Sequence, residues 1–243
     1  MRSAAEAAPS FLYLPALAGA GSGQSLTLEL DEARYVAKVV RAREGERLTA
    51  TDGAGLVATL VVESSRPEVV LRIDALEHWP APAPRHLLCG APEGERGDWL
   101  VEKSAELGVT HFQPVDTDRV SWPDHLRLDR WERLAVAALR QSRSAWLMRL
   151  AEPLELAAAL VGGLPESRWL ADPAGVAPGT LPETADAAVA GAVGPSSGFS
   201  ETELNLLEAH GFVFVKLAHT RLRTETAALA LASHWAAHRS PPG

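Results

Sequence analysis

Two short loops near the end of the chain carry the residue types best suited to chemistry. The first reads Gly194-Pro195-Ser196-Ser197-Gly198-Phe199-Ser200, and the second reads Leu222-Arg223-Thr224-Glu225-Thr226-Ala227-Ala228. Each loop joins an apolar, strand-like run to a helix-like run, and its glycines allow close approach of a ligand to the backbone. Ser200 and Glu203 have the spacing of a capping box, and Thr224 is a good N-cap. Because ligand crevices form at the carboxyl ends of strands in α/β sheets, the loops predict one binding crevice.

Taken alone, these residues are equally compatible with two ordinary strand-to-helix turns. More of the chain is needed to decide between a turn and a site. Other nucleotide motifs fit poorly: the glycine run 19–23 has no βαβ unit after it, and no phosphate-loop lysine pattern is present. No metal site is predicted, because no histidine pair has the accompanying carboxylate of a zinc-binding helix.

The two loops resemble the C-terminal signatures of the RsmE family, the uridine-N3 methyltransferases of small-subunit ribosomal RNA in the SPOUT superfamily. In that family the first loop usually reads G-P-E-G-G-F-S. The second usually reads L-G-x-R-I-L-R-x-E-T-A, which corresponds to residues 217–227 here. Four more segments resemble the family in the same order along the chain: 11–14, 39–46, Lys103–Val109, and Arg130-Trp131 with Gln141-Ser142.

This resemblance implies the fold class, the reaction and the partners. The fold would be α/β, with an N-terminal PUA-like β-barrel and a C-terminal SPOUT-type α/β domain whose chain forms a trefoil knot. The reaction would be S-adenosylmethionine-dependent methylation of uridine N3 in small-subunit ribosomal RNA. The enzyme would be a homodimer, and the apolar last helix offers a surface for that contact: Ala227, Ala228, Leu231, Ala232 and Trp235.

The same resemblance implies which residues form the site. Arg223 would stabilise the uracil anion left when N3 loses its proton, and Glu225 would act as the base or orient an arginine. The cofactor would lie against backbone groups at three strand ends: Leu170, Ala171, Asp172, Val193, Gly194, Pro195, Gly198, Leu217, Ala218 and Leu222.

The chain also departs from the family pattern. The usual Glu-Gly of the first loop is Ser196-Ser197, the usual glycine after Leu217 is Ala218, and the usual arginine is Thr220, followed by Arg221. These departures keep two alternatives open. One is a non-catalytic RNA-binding or ribosome-assembly homologue, and the other is a SPOUT methyltransferase that acts on another RNA.

Composition indicates a cytoplasmic protein without a membrane partner. The single cysteine, Cys89, excludes an intramolecular disulfide and suits a reducing compartment. The apolar run 11–20 is interrupted by Pro15 and is far shorter than the roughly 20 residues of a membrane span. We therefore interpret it as a first strand rather than a signal peptide.

The formal net charge of −8 argues against indiscriminate nucleic-acid binding, so an RNA role depends on where the basic residues lie. All but three of the 23 basic residues are arginines, which pair bidentately with phosphate. A cluster in the N-terminal part predicts an RNA-binding surface: Arg34, Arg41, Arg43 and Arg47. A second series along one helix, from Arg127 to Arg143, is equally compatible with a solvated helix face.

The pattern of elements predicts two domains and a linker. Residues 79–84 carry alternate prolines, which favour a stiff, extended connector. Residues 1–78 predict short strands (25–30, 47–51, 56–62, 68–73) around one helix (31–42), with a hairpin turn at Asp52-Gly53-Ala54-Gly55. Residues 85–243 predict alternating strands (85–91, 109–115, 168–171, 187–193, 212–217) and helices (98–107, 126–142, 154–161, 200–210, 224–238). Such alternation indicates a largely parallel sheet with helices on both faces.

Overall fold

The structure is a computed structural model that describes residues 10–123, 126–180 and 187–237. The described chain forms two compact units. The first extends to Ala81 and also includes Leu139–Trp146, and the second comprises Pro82–Ala138 and the chain from Leu147 onwards. The division into 1–78, 79–84 and 85–243 stays a prediction.

The first unit is built on a five-stranded sheet in the order β1-β3-β4-β5-β2. Its strands are β1 (Phe11–Tyr13), β2 (Ser25–Thr27), β3 (Arg47–Thr51), β4 (Leu56–Ser64) and β5 (Val70–His78). The hairpin predicted between β3 and β4 is confirmed. Its turn is held by the side chain of Asp52, whose carboxylate accepts from the backbone N–H groups of Ala54 (2.7 Å) and Leu56 (3.0 Å).

The helix predicted over 31–42 is two structures in succession. A short helix α1 (Leu30–Arg34) continues as a π-helix over Tyr35–Val40 and ends at Arg41, whose φ of 57° is left-handed. The arginine side chain at 140 reaches this region, with its guanidinium 4.2 Å from the centre of the Tyr35 ring. Alternating apolar residues of the strands, such as Leu48, Leu60 and Leu71, form the core of this unit.

The second unit contains a sheet of seven described strands. These are β6 (Arg85–Cys89), β7 (His111–Asp116), β8 (Arg149–Leu150), β9 (Leu154–Glu155), β10 (Ser167–Val176), β11 (Val189–Val193) and β12 (Val213–Val215). The order is β12-β10-β11-β6-β7-β8, with β9 paired to β7, and every one of these pairs is parallel. The predicted parallel sheet is therefore confirmed.

Five α-helices are described in this part of the chain: α2 (Gly97–Glu106), α3 (Leu128–Ser142), α4 (Leu156–Leu160), α5 (Glu201–Ala209) and α6 (Thr224–Ala237). Helix α6 packs directly on the central strand β11. A Cβ added at Gly191 would lie 2.4 Å from Leu231 and 2.7 Å from Trp235, so only glycine allows this approach.

Three local predictions need correction. The segment 154–161 begins with strand β9 and becomes helical only at Leu156. Strand β10 continues to Val176, so 170–172 lies within the strand and is not a loop after it. Thr224 is the first residue of α6 rather than its N-cap. The predicted end of that helix, His238, lies outside the described residues.

The apolar residues of α6 do not form the exposed surface that the sequence suggested for a dimer contact. Ala228, Leu231, Ala232 and Trp235 are all buried inside the second unit, at 1% exposure or less. They are buried because the helix is apolar all round and packs against both α2 and the sheet. In the part of the chain that the structure describes, no helix is long and apolar enough to cross a membrane.

Candidate functional site

A cavity of about 530 Å³ opens in the second unit where β10, β11 and β12 approach their carboxyl ends. Three segments form most of its wall: Ala171–Pro173 in β10, residues 193–199 after β11, and residues 216–222 after β12. Pockets for cofactor-sized molecules are commonly about 300–1,000 Å³. The carboxyl edge of a parallel sheet is where such pockets are expected.

We call residues 194–199 the β11 loop. Gly198 has a φ of +72°, the left-handed conformation that favours glycine, and its N–H donates to the carbonyl of Pro195 (2.8 Å). The predicted capping box then starts α5: the hydroxyl of Ser200 accepts from the N–H of Glu203 (3.2 Å), and the N–H of Ser200 donates to the Glu203 carboxylate (2.7 Å). These bonds define the conformation at the end of the loop.

We call residues 216–223 the β12 loop, and it lies beside the β11 loop. The hydroxyl of Thr224, just after it, donates to the carbonyl of Gly194 (3.0 Å), which joins the two strand ends. Ala218 stands where the family has glycine. The non-glycine residues with positive φ in the described chain are Arg41 and Arg143, so Ala218 fits here without left-handed backbone strain.

The charged groups of the cavity are few. Among the described residues that line it, Asp172 is the only carboxylate, and Lys216, His219 and Arg221 supply the basic side chains. The Asp172 carboxylate accepts from the N–H of Ala174 (2.7 Å), which orients it near the bulged part of β10. The arrangement provides one anionic group and three basic side chains among backbone donors and acceptors.

The comparisons with known proteins agree with this geometry. A family of RNA methyltransferase domains matches residues 80–236, and a family of RNA methyltransferase PUA domains matches residues 28–74. The ribosomal RNA small subunit methyltransferase E of Mycobacterium bovis is 32% identical over 230 residues, covering 85% of this chain and 84% of the relative. The chain belongs to the RsmE family.

Solved structures of similar proteins have the same fold. The ribosomal RNA small subunit methyltransferase E of Neisseria gonorrhoeae, bound to S-adenosyl methionine, is 28% identical with a TM-score of 0.81, covering 93% of this chain and 96% of that one. A methyltransferase of Legionella pneumophila in complex with the same cofactor is 26% identical with a TM-score of 0.80, covering 95% and 97%. The second unit is therefore an RNA methyltransferase domain of mixed α/β type.

Nine of the ten residues assigned to the cofactor by resemblance line the cavity: Ala171, Asp172, Val193, Gly194, Pro195, Gly198, Leu217, Ala218 and Leu222. The tenth, Leu170, does not. Its side chain is fully buried in the cluster of Leu88, Ala192 and Phe212 on one side of the sheet. Alternation along β10 explains the difference, since consecutive residues of a strand face opposite sides.

Sequence reasoning missed several residues of the cavity wall. Leu204 belongs to helix α5, beyond the first motif, and Ala227 is the last residue of the second motif, where no cofactor contact was assigned. Lys216 immediately precedes the second motif, and His219 occupies a position within it that the family pattern does not specify. The full set of lining residues that were not predicted is Pro173, Ser196, Ser197, Phe199, Leu204, Lys216, His219, Thr220, Arg221, Thr224 and Ala227.

The two residues assigned to catalysis lie in different surroundings. Arg223 is exposed beside the cavity, and its guanidinium makes no ion pair or hydrogen bond with another described residue, so it does not pair with Glu225 or Asp172. Glu225 is buried outside the cavity wall and pairs with Arg96 at 3.2 Å. Its position supports the orienting role rather than that of a base facing the cavity.

The four arginines of the predicted RNA surface are all exposed in the first unit. Arg47 pairs with Asp74 at 3.2 Å, and Arg34 makes only a long contact of 4.0 Å with Asp31. The guanidinium groups of Arg41 and Arg43 have no partner among the described residues. In the series from Arg127 to Arg143, by contrast, the described ion pairs attach Arg127 and Arg133 to Asp129 and Arg130 to Asp98, which neutralises part of that series.

Cys89 is not a candidate for covalent chemistry. It lies fully buried in β6, and burial, followed by the charge of Glu225, raises the pKa of its thiol. The described residues contain no group of three or more histidine, cysteine or acidic side chains that could hold a metal ion.

Proposed function

We propose that this protein methylates N3 of uridine in small-subunit ribosomal RNA, with S-adenosylmethionine as the methyl donor. The observation that carries the proposal is the cavity at the carboxyl edge of β10, β11 and β12, where both loops of the RsmE signature meet. Membership in the RsmE family indicates ribosomal RNA as the class of substrate. The cavity would hold the methyl donor, S-adenosylmethionine.

The residues present fit S-adenosylmethionine. When bound, this cofactor supplies an electrophilic methyl group on a positively charged sulfur. A cavity of about 530 Å³ with one carboxylate and several strand-end backbone groups suits a molecule with an adenine, a ribose and an amino-acid tail. Asp172 would attract the positive charge of the ligand. Gly194 allows the close approach of Phe199, whose ring would lie 3.1 Å from an added Cβ, and Gly198 supplies the left-handed turn of the β11 loop.

Arg223 is the residue that we assign to the reacting base. The neutral uracil imide has no free lone pair at N3, so the proton must leave before methylation. A guanidinium that is exposed beside the cavity, with no carboxylate of the described residues paired to it, is available to hold the oxygen of the resulting anion. Glu225 is not the base that accepts the N3 proton in our proposal, because its carboxylate is already paired with Arg96.

The first unit is assigned to holding the RNA. Exposed arginines at 34, 41, 43 and 47 offer phosphate contacts. Phosphate contacts fix the position of a nucleic acid without reading its sequence. We extend the assignment to a PUA-like barrel, which the matching PUA domain over 28–74 supports.

Two further features follow from family membership and belong to the same proposal. One is a trefoil knot in which α6 passes through a loop. The other is a cytoplasmic location, where the reduced thiol of Cys89 would persist.

We also propose a homodimer. The surface for it is not the apolar side of α6, which is buried, but the exposed side of α2, where Trp99 is 48% exposed. Light scattering at micromolar concentration should give twice the chain mass, and Trp99→Glu should shift the protein towards the monomer. A wild-type monomer would contradict the proposal.

The experiment that tests the function combines binding with product analysis. Calorimetry with S-adenosylmethionine should give a micromolar dissociation constant, about −8 kcal/mol. Small subunits and free ribosomal RNA that lack the modification should then be incubated with labelled cofactor, and the methylated nucleoside identified by mass spectrometry. N3-methyluridine supports the proposal, and another methylated nucleoside would indicate a different target. Cofactor binding without transfer to either RNA, or RNA binding without cofactor binding, would favour the non-catalytic alternative.

A further inference from the structure

The β11 loop is held by two arginines at the positions where the chain departs from the family pattern. The carbonyl of Ser196 accepts from Arg221 at 2.8 Å, and the carbonyl of Ser197 accepts from Arg119 at 2.5 Å. Both bonds go to backbone oxygens rather than to the serine side chains. The identity of the residues at 196 and 197 therefore matters less than the direction of their peptide groups.

Arg119 comes from outside both signature loops, in a turn between β7 and α3. Thr117 closes this turn: its N–H and hydroxyl donate to the carbonyl of Val120, at 3.0 Å and 2.8 Å. The next residue, Asp118, is fastened to the start of α5. Its N–H donates to the buried carboxylate of Glu203 at 2.9 Å, and its own carboxylate accepts from the hydroxyl of Ser200 at 2.5 Å. Asp118 thus attaches the turn to the start of α5, just after the β11 loop. From this fixed position the side chain of Arg119 reaches the carbonyl of Ser197 within the loop.

Arg221 acts from the other direction. It belongs to the β12 loop, so its bond to Ser196 joins the two loops that form the cavity, in addition to the bond from Thr224 to Gly194. Thr220, where the family usually has arginine, has arginine as its next neighbour. Hydrogen bonds from a guanidinium are charge-assisted, which makes them stronger than bonds between neutral groups. Two such bonds on adjacent peptides restrict the rotation of both.

We propose that Arg119 and Arg221 are positioning residues that hold the β11 loop in its cofactor-binding conformation. They compensate for the loss of the usual Glu-Gly pair at 196 and 197. The proposal rests on the proposed function, because it takes the cavity to be the site of S-adenosylmethionine. It assigns no contact with the reacting atoms to either arginine.

The test uses the full chain and the variants Arg119→Ala, Arg221→Ala and the double variant. Each single change should weaken S-adenosylmethionine binding about tenfold in calorimetry, as expected for loss of one hydrogen bond to a charged group that is partly exposed. The double variant should bind more weakly than either. Turnover at saturating cofactor should stay within about threefold of wild type, because the effect is on the KM for the cofactor and not on kcat.

Two controls separate positioning from a general loss of structure. Arg119→Lys and Arg221→Lys each keep one charged donor and should recover most of the affinity. Arg127→Ala removes an exposed arginine that is bonded to Asp129, away from the cavity wall, and should leave binding unchanged. Variants of Arg119 and Arg221 that bind the cofactor as tightly as wild type would overturn the proposal.

Hydrogen exchange of the ligand-free protein distinguishes failure of this proposal from failure of the proposed function. The amides of the β11 loop should exchange faster in the alanine variants than in wild type, whether or not the cavity binds S-adenosylmethionine. Faster exchange in a protein that does not bind the cofactor would support the positioning role of Arg119 and Arg221 and would show that S-adenosylmethionine is not the ligand of the cavity. Unchanged exchange in all three variants would contradict the positioning role itself.

Discussion

Arg96 and Glu225 form an ion pair in which the two partners differ sharply in exposure. The guanidinium and carboxylate are 3.2 Å apart, and the side chain of Glu225 is 6% exposed whereas that of Arg96 is 40% exposed. Glu225 lies in the first turn of α6, where a negative charge also interacts favourably with the helix dipole. The pair therefore attaches the start of α6 to the N-terminus of α2.

This pair predicts that Arg96→Ala destabilises the protein more than Glu225→Gln does. Removing the arginine leaves a buried charge without its partner, and the expected loss is about 1–3 kcal/mol, reduced from the fully buried case because Arg96 is partly exposed. Glu225→Gln removes the buried negative charge itself, so no unpaired charge is left inside the protein and the loss of stability is smaller. Denaturant unfolding of both variants measures the difference.

Catalytic measurements on the same variants test the role of Glu225. If Glu225→Gln lost nearly all turnover while keeping wild-type stability and cofactor affinity, Glu225 would be a base, contrary to our assignment. Equal stability losses in the two variants would show that the ion pair is not the main interaction of the buried carboxylate.

Arg223→Ala should lower turnover by about 2–4 kcal/mol, which is roughly 30- to 1,000-fold, with little change in cofactor affinity. The reason is that its guanidinium is unpaired among the described residues and is free to stabilise charge that develops on the base. Arg223→Lys keeps the charge and loses the planar fork, so it should recover only part of the rate. Wild-type turnover by Arg223→Ala in a single-turnover assay would refute the assignment.

Replacing the arginines at 34, 41, 43 and 47 by alanine should weaken RNA binding and flatten its dependence on salt. Each lost phosphate contact lowers the slope of log K against log salt by somewhat less than one. The matched control is Arg127→Ala with Arg133→Ala, two exposed arginines that already pair with Asp129. Filter binding at several salt concentrations measures the slopes, and equal slopes for both variants would place the RNA elsewhere.

We predict that the folded protein loses stability in mild acid because of His86. Burial, with the nearby charges of His111 and Arg149, lowers the pKa of His86 from 6.5 to about 4, and its ring lies 4.1 Å from that of His111. Burial and Arg149 also lower the pKa of His111. The folded protein thus binds fewer protons than the unfolded chain between about pH 6.5 and 4. Stability is complete above this window and falls as the pH decreases through it.

The expected loss from His86 is about 1–2 kcal/mol over that window, since the ring is only half buried and solvent weakens the effect. His86→Gln should reduce the acid dependence of the unfolding free energy, whereas His78→Gln, at an exposed position of the first unit, should not. Unfolding curves between pH 4 and 7 provide the measurement. An unchanged dependence in His86→Gln would rule out this explanation.

The sequence alone determined the features that depend on neighbouring residues. The capping box of Ser200 and Glu203, the hairpin turn at Asp52 and the left-handed turn at Gly198 each involve groups within a few positions of one another. The strands and helices themselves also have local patterns, and their alternation along the chain predicted the parallel sheet. Motifs at the two loops then indicated the family, and the resemblance indicated nine of the residues that line the cavity.

The tertiary structure decided everything that depends on residues far apart in the chain. It gave Glu225 its partner Arg96, brought Arg119 to the carbonyl of Ser197, and turned Leu170 into the core while Ala171 faces the cavity. It also buried the apolar residues of α6, which sequence pattern had assigned to a dimer contact. Such pairings depend on how strands and helices pack in space, and local preferences carry no information about which distant group will fill a given position.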